Sequence, residues 1–96
     1  MGQPVTRLGD LCTGHGCFPS RPNVAASGNV FTNGIGTHRL GDGWVVHGCS
    51  NCTPHSGVTS AASGSVFVNG RGCARIGDTV SCGSTIAAGS GNVFAG

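Results

Sequence analysis

Six cysteines and four histidines stand in a chain of 96 residues, and their spacing points first to metal ligation. An Arg-x-Gly-Asp segment occurs three times, ending at Asp10, Asp42 and Asp78. Counted from each Asp, a donor recurs at nearly constant distance: His15 five residues on, His47 five on, and Cys82 four on. Three-fold repetition would bring these side chains toward one axis, supplying three of the four bonds of a tetrahedral metal. The fourth donor must come from an insertion, and the middle repeat carries one, "SNCTPHSG", with His55. Three imidazoles and one thiolate suit zinc. A second set competes: Cys49-x-x-Cys52, flanked by His47 and His55, has the spacing of a self-contained zinc knuckle.

The other donors read differently. Cys12, Cys17 and Cys73 have no clear partner set and are expected to be small buried residues. A Cys17–Cys49 or Cys49–Cys52 disulfide is the alternative if the protein leaves the cell. His38 lies across the Arg-x-Gly-Asp turn from the donor loops and reads as a packing or surface residue. Each Asp is expected to take turn N–H groups or its local Arg. That leaves little for catalysis. A catalytic zinc keeps an open position and a nearby base. Here four donors fill the set, Glu is absent, and every Asp is committed. The chain is therefore expected not to be an enzyme; a zinc hydrolase, a thiol enzyme and a disulfide-rich secreted binding module are the rival readings.

What must position these donors is a repeat. "SGNVF" stands at 27–31 and again at 90–94, with "SGSVF" at 63–67. Phe31 precedes Arg39 by eight positions and Phe67 precedes Arg75 by eight. The first Arg-x-Gly-Asp has no Val-Phe before it, and the last Val-Phe has no Arg-x-Gly-Asp after it. Joined head to tail, Phe94 lies nine positions before Arg7, or eight if Met1 is removed. The two chain ends are therefore expected side by side, completing one repeat between them. Asn-Gly at 33–34 and 69–70, each between short β-prone runs, predicts tight hairpins. At the seam Gly96 and Gly2 would take the Asn-Gly register. No 3.6-residue apolar stripe occurs, so the fold class is all-β, in a single domain over residues 1–96.

Composition limits the rest. Nineteen Gly, one Trp and no Tyr give a weak core for the chain length, which a structural metal would offset. Five basic and three acidic residues form no basic stripe, so nucleic acid is a poor partner. No apolar run is long enough to span a bilayer, and a signal-peptide apolar region is lacking; assembly in the cytoplasm is the expectation.

Together these residues resemble the PAAR-repeat proteins over nearly the full length. The name describes Pro-Ala-Ala-Arg, matched here by "PVTR" at 4–7, "GTHR" at 36–39 and "GCAR" at 72–75, each followed by x-Gly-Asp. "RLGDLCTGHGCFPSRPNV", "VFVNGR" and "GNVFAG" add to the likeness. Only the first segment keeps the Pro. The resemblance implies a small β cone of three hairpin repeats with pseudo-three-fold symmetry and a zinc near its apex, held by three His and one Cys. By position these are His15, His47, His55 and Cys82. It also implies one copy capping a trimeric VgrG-type spike, in a type VI secretion system or a phage-like contractile tail. Such a tip would leave the cell on the spike, with effector cargo possible behind it, and would touch the target membrane only transiently.

Overall fold

The computed structural model describes residues 2–14, 19–45, 47–49, 52–55 and 57–96, with the backbone alone described at 47–49 and 52–55. The described residues form short strands and no helix: β1 (Gln3–Pro4), β2 (Phe31–Thr32), β3 (Ile35–Gly36), β4 (His47–Cys49), β5 (Cys52–His55), β6 (Phe67–Val68), β7 (Arg71–Gly72) and β8 (Phe94–Ala95). Among the described residues the strands pair antiparallel in four two-stranded units, β2 with β3, β4 with β5, β6 with β7, and β1 with β8, and isolated antiparallel bridges such as Val5 with Arg75 link segments outside them.

Two local signals build most of this. Asn33 and Gly34 have φ of 55° and 76°, and Asn69 and Gly70 have φ of 54° and 77°. Positive φ at both central residues makes a type I′ turn, whose twist matches the flanking strands. The Arg-x-Gly-Asp segments form a second turn. Asp N–H donates to the Arg carbonyl at 3.0 Å for Asp10 and Asp42 and 3.1 Å for Asp78. The intervening Gly9, Gly41 and Gly77 have φ of 87°, 85° and 94°, as position i+2 of a type II turn requires. Each Asp carboxylate then accepts from the Arg backbone N–H and from the Arg guanidinium. Those bonds hold the Arg7, Arg39 and Arg75 guanidinium groups still more firmly protonated than usual.

At the seam, Gln3 lies opposite Ala95 and Pro4 opposite Phe94. The equivalent positions in β2–β3 are Thr32 opposite Ile35 and Phe31 opposite Gly36. Gly96 and Gly2 thus follow and precede the paired residues where Asn33 and Gly34 do. The segments at the two ends of the chain share one strand pair. Across repeats, backbone bonds run in cycles. Thr6 N–H donates to Ala74 O at 3.0 Å, Ala74 to His38 O at 3.1 Å, and His38 to Thr6 O at 3.0 Å. Leu8, Leu40 and Ile76 N–H likewise reach Gly36, Gly72 and Pro4 O.

The core has two parts. Val5, Val68, Cys73 and Ala95 pack together beneath the hairpin strands. Cys12, Trp44, Ala74, Val80 and Ile86 form the second cluster, with Ile76 and Cys82 against it. His38 is fully buried beside this cluster, its ring edge-on to Trp44 at 5.2 Å between centroids. Its Nδ1 meets Ala25 O at 2.8 Å and its Nε2 meets Thr59 Oγ1 at 2.6 Å. Trp44 Nε1–H donates to the same hydroxyl at 3.0 Å. Of the two roles open to His38, packing is the one it has.

Candidate metal centre and apolar face

Cys82 is positioned by a tight turn. Gly83 N–H donates to Val80 O at 2.9 Å, Val80 N–H donates to Ser84 O at 2.8 Å, and Gly83 takes φ 108°. The Cys82 side chain is half-buried against the second core cluster, with its Sγ 3.8 Å from Ser84 Oγ. Its neighbours are the roots of the other two donor loops. Thr13 N–H donates to Thr85 O at 2.8 Å, and Thr85 N–H returns to Thr13 Oγ1 at 3.2 Å. This pins the chain two residues before His15. On the other side, Ser81 N–H donates to Val58 O, and Val58 N–H to Ser81 Oγ.

Gly57, two residues after His55, comes closest. A Cβ on Gly57 would lie 2.9 Å from Ser81 Oγ, 3.1 Å from Cys82 N and 3.2 Å from Cys82 Cβ. Lack of a side chain there lets the backbone at Gly57 run up against the Cys82 turn. The middle loop is tied at both ends: Val45 N–H reaches Pro22 O at 3.1 Å, and Trp44 N–H reaches Gly57 O at 3.1 Å.

Of the four predicted donors, Cys82 is the one whose side chain is described. His47 and His55 are register partners on β4 and β5, directly opposite each other. His15 lies outside the described residues, as does Cys17. Among the described residues no three His, Cys, Asp or Glu side chains converge as a metal site. The competing knuckle residues, Cys49 and Cys52, are also register partners, with a one-residue shift in the pairing between His47 and Cys49. Cys12 and Cys73 are buried, as expected. The Cys12 Sγ accepts Arg21 N–H at 3.4 Å, and burial pushes the Cys73 thiol above its ordinary pKa.

Asp42 is the most enclosed of the carboxylates. Beyond Arg39 it meets Arg71 Nη2 at 3.2 Å, a bond from the β7 strand that neither Asp10 nor Asp78 receives from outside its own turn among the described residues. Burial alone would raise its pKa, but the Arg39 hydrogen bonds outweigh it and hold the carboxyl below its ordinary value.

At the hairpins a second feature stands out. Phe31, Phe67 and Phe94 are exposed by 59%, 60% and 56%, while the next residue in each strand, Thr32, Val68 or Ala95, is buried. Alternation of faces along a strand puts the large side chain outside and the small one inside. Val30, Val66 and Ile35 are also exposed. The hairpins touch one another pairwise: Asn33 Nδ2 donates to Asn92 Oδ1 at 2.8 Å, Asn69 Nδ2 to Asn29 Oδ1 at 2.9 Å, and Ser63 Oγ to Gly96 O. Three large apolar side chains thus stand exposed at one repeat position on adjoining hairpins. The resemblance implies that the base, where the hairpins gather, faces the spike; the three Phe side chains on it are not singled out by the Val-Phe repeat alone. The available signal was that the residue after each Phe is small or β-branched, fit for the inside.

With this geometry in place, the chain can be set beside known proteins. The family model described as the PAAR motif matches residues 19–88, well over half of the chain. No curated protein matches it significantly.

Proposed function

The chain belongs to the PAAR-motif family, a structural family of spike-tip proteins in contractile injection systems, and from that premise we propose that it is such a tip. One copy caps a trimeric VgrG-type β-helical spike, with the hairpin face on the spike and the Cys82 turn at the far, leading end. The arrangement is a cone of three hairpin repeats with pseudo-three-fold symmetry. The observation that carries this reading is the trio of exposed Phe31, Phe67 and Phe94 at one repeat position. One chain can then meet three identical spike subunits, each with an equivalent apolar contact.

At the other end, His15, His47, His55 and Cys82 form a donor set chemically suited to zinc. The fit is supported by the described backbone: His47 opposite His55, and Gly57 and Thr13 anchored against the Cys82 turn and Thr85. When bound, zinc cross-links the three loops. The chain's own part is to hold the roots of these loops, at Thr13 and Gly57, against Thr85 and the Cys82 turn. A domain with so weak an apolar core gains from such a cross-link, and resistance to forced unfolding follows the unfolding rate. Each Asp carboxylate is paired with Arg, which lowers the cost of passing through an apolar layer. The tip is thus carried out of the cell on its spike.

A second reading has its own observation. Register pairing of Cys49 with Cys52 beside His47 with His55 favours a zinc site built within the β4–β5 hairpin. Co-expression with the cognate spike, followed by metal analysis, tests both. One zinc and one chain per spike trimer are expected, with zinc lost in Cys82→Ser and kept in Cys49→Ser. The reverse pattern selects the hairpin site. A protein that never binds the trimer sinks the tip assignment.

A further inference from the structure

We propose that Cys49 and Cys52 form a disulfide that locks the register of the β4–β5 hairpin once the protein meets a disulfide oxidant. The two residues are direct partners across antiparallel strands. Opposed residues in such a pair have Cα atoms about 4.5 or 5.5 Å apart. Both spacings lie within the range of about 4.4–6.8 Å that a disulfide spans. The register pairing therefore puts the two Cα positions within the reach of such a bond. Other described cysteines are placed elsewhere: Cys12 and Cys73 in separate apolar clusters, and Cys82 in the turn after Val80.

Why this hairpin needs a lock follows from its pairing. Between His47↔His55 and Cys49↔Cys52 the register slips by one residue, as at a β-bulge. A short two-stranded unit is marginal in isolation, and a one-residue slip exchanges the faces of a strand. A covalent tie at the Cys49–Cys52 end permits one register and so keeps His47 opposite His55. The inference draws its purpose from the donor role of those histidines. Formation of the bond itself does not depend on zinc, and the two are read out separately.

The chemistry is thiol–disulfide exchange with a small disulfide such as oxidised glutathione. One cysteine thiolate attacks the oxidant's disulfide, forming a mixed disulfide and releasing one glutathione thiol. The second cysteine attacks the protein sulfur of that mixed disulfide and releases the other. Two protein thiols are oxidised by two electrons, and one glutathione disulfide is reduced to two thiols. In a reducing cytoplasm the pair stays open; outside it closes.

The test uses the full chain equilibrated in oxidised or reduced glutathione. Thiols are counted after denaturation, bonds are mapped by peptide mass spectrometry, and backbone exchange is followed at β4 and β5. Oxidation is expected to remove two of the six thiols, to map to Cys49–Cys52, and to slow exchange in both strands at least tenfold. Cys49→Ala should instead carry a glutathione adduct on Cys52, while Cys12→Ser and Cys73→Ser still form the bond. Persistence of six thiols, a bond mapped to Cys17, or closure without slower exchange overturns the proposal. So does a pair that oxidises only after a chelator removes stoichiometric zinc, with that zinc missing from Cys49→Ala. That last result would make the cysteines metal ligands and leave the spike-tip reading standing.

Discussion

The backbone N–H of Thr6 donates to the carbonyl of Ala74 at 3.0 Å, joining the first repeat segment to the last. Ala74 in turn binds His38, and His38 binds Thr6. None of the three members of this cycle can be removed without opening it. All three residues are fully buried. Stability is therefore expected to depend on both ends of the chain at once. Deleting residues 2–5 should abolish the cooperative unfolding transition, because it removes β1 and strands β8. A truncated chain that melts like the parent would contradict the closed arrangement.

Among the Arg-x-Gly-Asp turns, the middle one is predicted to matter most. Asp42 serves Arg39, its own turn and Arg71, and its carboxylate is nearly inaccessible. Asp42→Ala would leave two guanidinium groups uncompensated and a turn N–H unpaired. A loss of about 3 kcal/mol is expected for Asp42→Ala and about 1 kcal/mol for Asp10→Ala, whose pair is more exposed. Urea denaturation of both variants checks the order; equal losses would deny Arg71 any part.

His38 predicts a pH dependence of known sign. Burial lowers its pKa below the ordinary 6.5, so the folded ring is neutral; the fields of Arg39 and Arg71 act in the same direction, while the Ala25 hydrogen bond and the Asp42 charge oppose them. Above about pH 6.5 neither state takes up a proton here, and the full stability is present. As pH falls below that value the unfolded chain is protonated and the folded one is not. Stability then drops by up to about 1.4 kcal/mol per pH unit until the folded pKa is reached. His38→Thr, which copies Thr6 at the equivalent position, should remove this component. Urea midpoints between pH 5 and pH 8, with chelator in all samples, measure the difference between the two proteins (the other histidines contribute equally to both).

Gly57 separates the metal reading from general packing. Gly57→Val places side-chain atoms against Ser81 and Cys82, pushing the backbone at position 57 away from the Cys82 turn. Zinc affinity is expected to fall at least tenfold, and stability of the zinc-free protein by about 1–3 kcal/mol. Competition against a fluorescent zinc chelator reads the first quantity. Unchanged affinity would mean that Cys82 is not part of the site.

The exposed phenylalanines make the docking face testable without unfolding the tip. Because each is more than half exposed, Phe31→Asp, Phe67→Asp and Phe94→Asp should each alter stability by about 0.5 kcal/mol or less. Each should weaken binding to the spike trimer at least tenfold, and the triple variant should abolish it. Titration calorimetry against the trimer, beside thermal melts, decides. Full affinity in the triple variant would move the docking face elsewhere.

Much of the fold could be read directly from the chain, for a local reason. Asn-Gly and Arg-x-Gly-Asp specify backbone angles within four residues, and both formed the turns expected of them at every described occurrence. The Asp role was legible because its partner Arg is three positions away. Repeat phase also located the seam, since the missing half of one repeat stands at the other end of the chain. For the candidate site, phase singled out His15, His47 and Cys82, and the turn at Cys82 is one that Gly83 encodes nearby. Tertiary structure decided what depends on distant partners. It turned Phe31, Phe67 and Phe94 outward and sent the next residue of each strand, Thr32, Val68 or Ala95, into the interior. It gave Asp42 a second arginine from another hairpin, and it buried His38 between Ala25 and Thr59. It also set Cys49 opposite Cys52 and Gly57 against the Cys82 turn. Local patterns carry backbone torsions; which side of a strand meets the core, and which loops share a root, is settled only when the repeats pack against one another.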